Sequence, residues 1–224
     1  MADGKGMATT GSPDLGALES ALRREQKKVS LVQEVSRALS TVGDLDALLR
    51  LIMEKVTVLM EADRSTLYLV TEDGRQLWSK VIQGGERVEI RLDVGEGVAG
   101  WVAQTREIVN IPEAYADQRF QPAWDVKSGY RTKSMLVIPM KTHRDEIVGV
   151  LQLINRKRDA DVRLASPDIV EREIQTYDLR AVELVTAMAS QAAVAIENSR
   201  LYEDIERLFE GFVTAAVTAI EARD

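Results

Sequence analysis

The chain has 224 residues, a formal net charge of −7, one histidine and no cysteine, which excludes disulfides, thiolate metal sites, thioether-linked chromophores and cysteine nucleophiles. The acidic balance argues against nonspecific nucleic-acid binding, which needs a clustered positive surface. With 45 % hydrophobic and 29 % charged residues, no basic-then-apolar leader and no evident run of about 18 apolar residues, one well-buried cytoplasmic domain with extra helices and no membrane segment is expected.

Residues 1–14 are rich in Gly, Ser, Thr and Asp and carry too little apolar surface to offset ordering entropy, so disorder is expected there. Leu15, Leu18, Leu22, Val29, Val32 and Leu39 then form a heptad-like series broken by Glu25 and Ser36, which predicts a coiled-coil-like helix over 15–40. Arg23, Arg24, Lys27 and Lys28 interleave with Glu19 and Glu25, as on a solvated helix face. Asp44 is placed to cap a second helix, whose Leu45, Leu48, Leu49, Ile52, Val56 and Leu59 would cover a sheet.

Three strands follow in the runs STLYLVT, QLWSKVI and RVEIRL, separated by turns at 72–74 and at Gly84 and Gly85, an antiparallel meander. Gly95 and Gly97 open a short helix, VAGWVAQT. SMLVIPMK and IVGVLQLIN are two more strands, and THRDE between them leaves His143 as an exposed turn residue. The predicted sheet has about six strands. Residues 156–176, charged and containing Pro167, read as a surface insertion with a short helix.

From Tyr177 onward Leu184, Ala187, Gln191, Val194, Asn198, Leu201, Ile205, Leu208, Phe212, Ala215 and Ala219 recur at alternating steps of three and four, which predicts a long final helix with 203–224 as linker. A seam this long leaves an apolar stripe in water unless a partner covers it, so a homodimer through the N- and C-terminal helices is expected. Asn198 either fixes register within that seam or lies at the exposed start of the linker. No nucleophile, base and acid converge and no Walker-type motif occurs. A regulatory rather than catalytic chain is expected, since isolated carboxylates such as Glu86 and Glu89 read as solvent-facing strand residues.

The order of these elements, with GEGVAGWVA, NIPEAY (110–115), Arg119 and Phe120, SGYRTK (128–133) and Ile138 and Pro139, resembles a GAF domain over residues 44–202. Within that family the residues are most similar to the branch found in cyclic nucleotide phosphodiesterases and adenylyl cyclases. The resemblance implies an α+β fold, with a central antiparallel sheet, helices on one face and long terminal helices. It also implies a pocket with Phe120, Gln121, Asp125, Ser128 and Thr132 in a lid and Thr66, Ile82 and Gln152 on the sheet floor. The N–H groups of Val98 and Ala99, at a helix start after Gly97, suit a phosphate, and the Gln152 amide suits a purine edge of either kind. The implied ligand is cAMP or cGMP, with no cofactor required.

Related domains carry a dispersed Asn-Lys, Phe, Asp-Glu signature. Here Asn155, Arg156 and Tyr177 stand in its first positions while Ala181 and Val182 replace the acidic pair, so the bracing lysine-to-aspartate bridge is expected to be lost. The final run LFEGFVTAAVTAIEARD resembles the lead-in to an HD-GYP domain, which implies a cyclic-di-GMP phosphodiesterase as output. Two alternatives remain: a ligand-free dimerisation module, favoured by the missing acidic pair and the bulky Trp124, and a sensor of another small molecule such as an amino acid, a nucleotide or a noncovalent bilin.

Overall fold

Leu48, Ile52, Val56 and Leu59 recur at helical spacing in α1 (Leu45–Leu59), and each is at most 2 % exposed. The computed structural model describes residues 45–83 and 86–221 together with Gln26 and Ser30, and only the backbone at 45–46, 80–83, 86–88, 216–217 and 219–221. The expected disorder at 1–14, the 15–40 helix apart from Gln26 and Ser30, the Asp44 cap and the Gly84 and Gly85 turn lie outside the described residues. A left-handed Glu61 (φ 55) ends α1 and turns the chain straight into the sheet.

The strands are β1 (Ala62–Val70), β2 (Gln76–Gln83), β3 (Glu86–Asp93), β4 (Val109–Ile111), β5 (Met135–Lys141), β6 (Ile147–Lys157) and β7 (Ile174–Gln175). All pair antiparallel in the order β3-β2-β1-β6-β5-β4, and β7 adds to the far end of β6 through Arg156↔Gln175 and Lys157↔Ile174. The five strands located in the sequence are therefore joined by two more, β4 from the start of the NIPEAY loop and β7 from the segment read as a surface insertion. In that segment α4 (Pro167–Glu173) starts at Ser166, whose hydroxyl accepts from the Ile169 N–H, with proline in the first turn.

Strand residues alternate between two apolar clusters, as a period of two requires. Leu67, Leu69, Leu136, Ile138, Leu151 and Leu153 face α1 and the first half of α5 (Leu179–Glu221). Tyr68, Val70, Met135, Val137 and Val150 face the opposite way, against α2 (Gly97–Thr105). Helices thus cover both faces, where one was expected: the long helices lie on one, and α2 with the loop beyond it lies on the other. Burial on both sides is why β5 reads as an unbroken apolar run instead of an alternation.

Part of α5 within Leu179–Ala215 is by length and composition apolar enough to cross a bilayer, contrary to the expectation of no such run, and 44 % of that stretch is buried. Its Ala181, Val185, Met188, Ala189, Ala192 and Ile196 belong to the core shared with α1, so up to Ile196 the apolarity is that of a core helix. Beyond it Leu201, Ile205, Leu208 and Phe212 are each more than half exposed.

β1 and β6 approach closely at Gly149, where an added Cβ would stand 2.2 Å from the Tyr68 carbonyl oxygen and 2.5 Å from Met140 Cε. Gly149→Ala is therefore expected to cost about 3 kcal/mol through forced strand separation, read as a lower urea midpoint with an unchanged slope.

Candidate ligand cavity

Three glycines build one wall. Gly95 (φ 96) and Gly97 (φ 63) take backbone conformations that side chains disfavour, and a Cβ on Gly100 would lie 2.5 Å from the Asp93 carbonyl oxygen. The chain can therefore fold under its own helix: the Gly95 N–H donates to the Gly100 carbonyl at 2.8 Å and the Glu96 N–H to Asp93 at 2.9 Å. α2 begins at Gly97 with no side-chain cap. Its first N–H groups, those of Gly97, Val98 and Ala99, lack intrahelical acceptors and carry the positive end of the helix dipole.

The roof runs from β4 through a single 3₁₀ turn (Ala114–Ala116) and α3 (Ala123–Ser128) to β5. Its internal brace is Asp125, only 6 % exposed, whose carboxylate accepts from the Thr132 N–H (2.7 Å), the Thr132 hydroxyl (2.9 Å) and the Tyr115 hydroxyl (3.2 Å). Phe120 packs on Tyr115 with ring centroids 5.1 Å apart. The Ser128 hydroxyl donates to the Trp124 carbonyl at 2.7 Å, and the Gln121 amide donates to Glu96 at 3.3 Å, which ties the roof to the start of α2.

The floor is the second face of β1 and β6, where Thr66 and Gln152 are direct cross-strand partners. Burial pushes the Tyr68 phenol up to about 12 against the opposing pull of its hydrogen bond with Thr66. At the far end the Tyr130 hydroxyl donates to Asp63 (2.7 Å) and accepts from the Asn155 amide (3.0 Å), and the Arg64 guanidinium lies 3.7 Å over its ring. Burial, then the bond to Asp63, holds that phenol above its ordinary range.

Roof, floor and α2 enclose a cavity of about 700 Å³, within the rough 300–1,000 Å³ span of small-molecule pockets. Thr66, Val98, Ala99, Phe120, Gln121, Asp125, Ser128, Thr132 and Gln152 all line it. Ile82 sits on β2 opposite Arg87, where side chains are not described. Asp125 and Thr132 satisfy one another, so their first role is to brace the roof. Trp124, 46 % exposed, stands at the rim and does not plug the cavity. Arg64 and Tyr130 line the cavity too; Tyr130 falls within SGYRTK, but neither is among the expected pocket residues. Their contact joins a strand residue to a loop residue far along the chain, and no local pattern marks it. Among the described residues no group of three His, Asp or Glu is placed to hold a metal ion.

The expected loss of the bracing ion pair is corrected by the fold. Arg156 Nη1 lies 2.8 Å from Asp178 Oδ2, so a bridge forms from the residue after Tyr177 in place of one at 181. Asp178 also caps α5, accepting from the Ala181 N–H at 2.8 Å. Beside it the buried Tyr177 hydroxyl has no hydrogen-bond partner among the described residues, and burial raises its phenol.

Three comparisons match this architecture. The GAF domain family profile matches residues 44–196. The cGMP-specific 3',5'-cyclic phosphodiesterase of Drosophila virilis is 30 % identical over 187 residues, covering 77 % of this chain and 19 % of its own length. That of Drosophila melanogaster is 29 % identical over 187 residues, with 77 % and 16 % covered. The chain thus spans about a fifth or less of these relatives. Among solved structures, the GAF domain of an Acinetobacter phosphoenolpyruvate-protein phosphotransferase superposes with a TM-score of 0.61 at 18 % identity, covering 80 % of this chain and 98 % of that one. Free methionine-R-sulfoxide reductase from Neisseria meningitidis gives 0.60 at 16 % identity, covering 86 % and 96 %. At such identities the likeness is one of fold.

Tyr68, Tyr130 and Tyr177 all hold their protons more tightly folded than unfolded. Their contribution to stability is thus complete below the unfolded value near about 10 and is lost as pH rises toward the folded values. The melting temperature should stay level to about pH 9.5 and fall beyond it. Tyr177→Phe, which removes a buried hydroxyl with no partner among the described residues, should raise neutral stability by up to about 1 kcal/mol and flatten that decline.

Proposed function

This chain belongs to the GAF domain family, whose domains are small-molecule-sensing regulatory modules, and we propose that its cavity binds a cyclic nucleotide, cAMP or cGMP. The uncapped start of α2 on the wall of a 700 Å³ cavity carries this reading, because orphan N–H groups at a helix start stabilise a cyclic phosphate without a lysine. On the floor the half-buried Gln152 amide stands where a purine edge would lie and can both donate and accept. The relatives named as cGMP-specific phosphodiesterases support the same ligand class.

In this reading the chain is a regulator, not a catalyst, and works in the cytoplasm. The exposed stripe Leu201, Ile205, Leu208 and Phe212 on α5 supports a homodimer through the terminal helices, since its steps of four, three and four form a coiled-coil seam. The resemblance of LFEGFVTAAVTAIEARD to an HD-GYP lead-in supports a cyclic-di-GMP phosphodiesterase as the output. A ligand-free dimerisation module is the second reading, favoured by the mutual satisfaction of Asp125 and Thr132.

Calorimetric titration with cGMP and cAMP tests the cyclic-nucleotide reading. At least one should bind, and ligand at a hundred times Kd should stabilise the fold by about 2.7 kcal/mol. Gln152→Ala should weaken binding about tenfold through loss of hydrogen bonds to the base. No heat and no stabilisation with either nucleotide at millimolar concentration would overturn the cyclic-nucleotide reading and leave the ligand-free module and a sensor of another small molecule. Sedimentation tests the dimer separately: Leu208→Asp with Phe212→Asp should give a folded monomer, because a charge on each helix cannot be buried unpaired in the seam.

A further inference from the structure

We propose that the segment inserted between β6 and α5 fastens the cavity roof to the start of α5, with Glu171 as the positioning residue that joins them. This deepens the reading of the loop as a lid over a ligand cavity and concerns how its state reaches the final helix.

Two cations at the end of the roof converge on one α4 residue. Lys133 Nζ lies 2.7 Å from Glu171 Oε2 and also donates to the Glu171 backbone carbonyl at 2.7 Å. Arg131 Nη2 reaches Glu171 Oε1 at 3.3 Å and Glu113 Oε1 at 3.0 Å. An exposed ion pair alone orders little, but here two cations and a backbone bond share one residue, and Lys133 first, then Arg131, holds the Glu171 carboxyl below its ordinary range. On its other side the Arg131 guanidinium lies 4.1 Å over the Tyr115 ring. The Tyr115 hydroxyl is the donor to Asp125, the buried carboxylate on the cavity wall. Contact is therefore continuous from the wall through Tyr115 and Arg131 to α4.

From Glu171 the chain passes without a loop into β7 and on to Asp178. Arg156 holds that end of the segment, donating to the Thr176 carbonyl at 3.4 Å and the Asp178 carboxylate at 2.8 Å. Asp178 in turn caps the first turn of α5. A shift of the roof that pulls on Glu171 thus acts on the residue that starts the final helix. A second tie, from the Asn110 amide to the Tyr177 carbonyl at 2.7 Å, enters at the same place from β4.

A chain of contacts becomes coupling only when two perturbations fail to add, so the test is a double-mutant cycle read by amide hydrogen exchange on the whole chain without ligand. Glu171→Gln should speed exchange at least about threefold both in the roof (123–132) and at the start of α5 (179–186). Glu171→Asp should restore much of the protection, and Asp145→Asn, which breaks an exposed ion pair elsewhere, should change neither region. Tyr115→Phe should speed exchange at 179–186 in the natural background and add nothing in the Glu171→Gln background. An effect of Glu171→Gln confined to 167–173 overturns the proposal, as does an undiminished effect, or no effect, of Tyr115→Phe at 179–186. Failure of nucleotide binding in calorimetry would strike the ligand reading alone, since this exchange experiment uses no ligand.

Discussion

The cavity exists because Asn155 pins its roof. This residue is fully buried at the end of β6 in a left-handed conformation (φ 56), which asparagine tolerates better than most side chains. Its Oδ1 accepts from the Lys133 N–H at 2.7 Å and the Ser134 N–H at 3.3 Å, and its Nδ2 donates to the Tyr130 hydroxyl at 3.0 Å and the Arg131 carbonyl at 2.8 Å. One amide thereby fixes four residues of the roof, 130, 131, 133 and 134, against the end of a central strand. Each such buried group left unmade costs about 1–3 kcal/mol, so the roof's hinge is set by polar chemistry and not by apolar filling. From the hinge the order spreads outward, through Tyr130 to Asp63 and Arg64 on β1.

A roof held at its hinge can stand clear of the floor. Asp125 stiffens the span by accepting three hydrogen bonds from within it, and Gln121 ties its near edge to Glu96 beside α2. The space left between is lined by Thr66, Gln152 and Arg64 as well as by Ile90, Leu92 and Ile154. A void with polar groups on its walls can take up water, so it weakens the fold less than an apolar hole of the same size would. The same polar walls make it a place where a ligand exchanges for water with its orientation fixed by a few groups.

Sequence periodicity carried the parts of this arrangement that depend on neighbours along the chain. The α1 stripe, the meander and the glycine-opened α2 are all local, and the lid residues follow from motifs a few positions long. What escaped it is long-range. β7 is two residues with no pattern of their own and is a strand only because the end of β6 projects past β5. The family spacing puts the partner of Arg156 at 181, whereas the fold supplies it from Asp178, which the cap of α5 brings to the same place. Asp125 shows the limit from the other side. Its place at the cavity followed from the family resemblance, but its three roof bonds, which decide how much of it is free for a ligand, did not.

The position of α5 constrains how such a cavity can regulate anything. The first half of α5 packs with α1 on one face of the sheet, and the cavity lies on the other. β6, which separates them, is paired on both sides along most of its length, and a closely packed sheet does not deform by small amounts on demand. A signal therefore has an easier path around the sheet than through it. The chain offers one where the roof's last residues, α4, β7 and the Asp178 cap meet in sequence beside the far end of β6. A ligand that moves the population of α5 arrangements from 1:99 to 99:1 must favour one by about 5.5 kcal/mol. That difference must arise where the arrangements differ, and the roof, not the rigid floor, is the wall of the cavity whose contacts lead out to the helix.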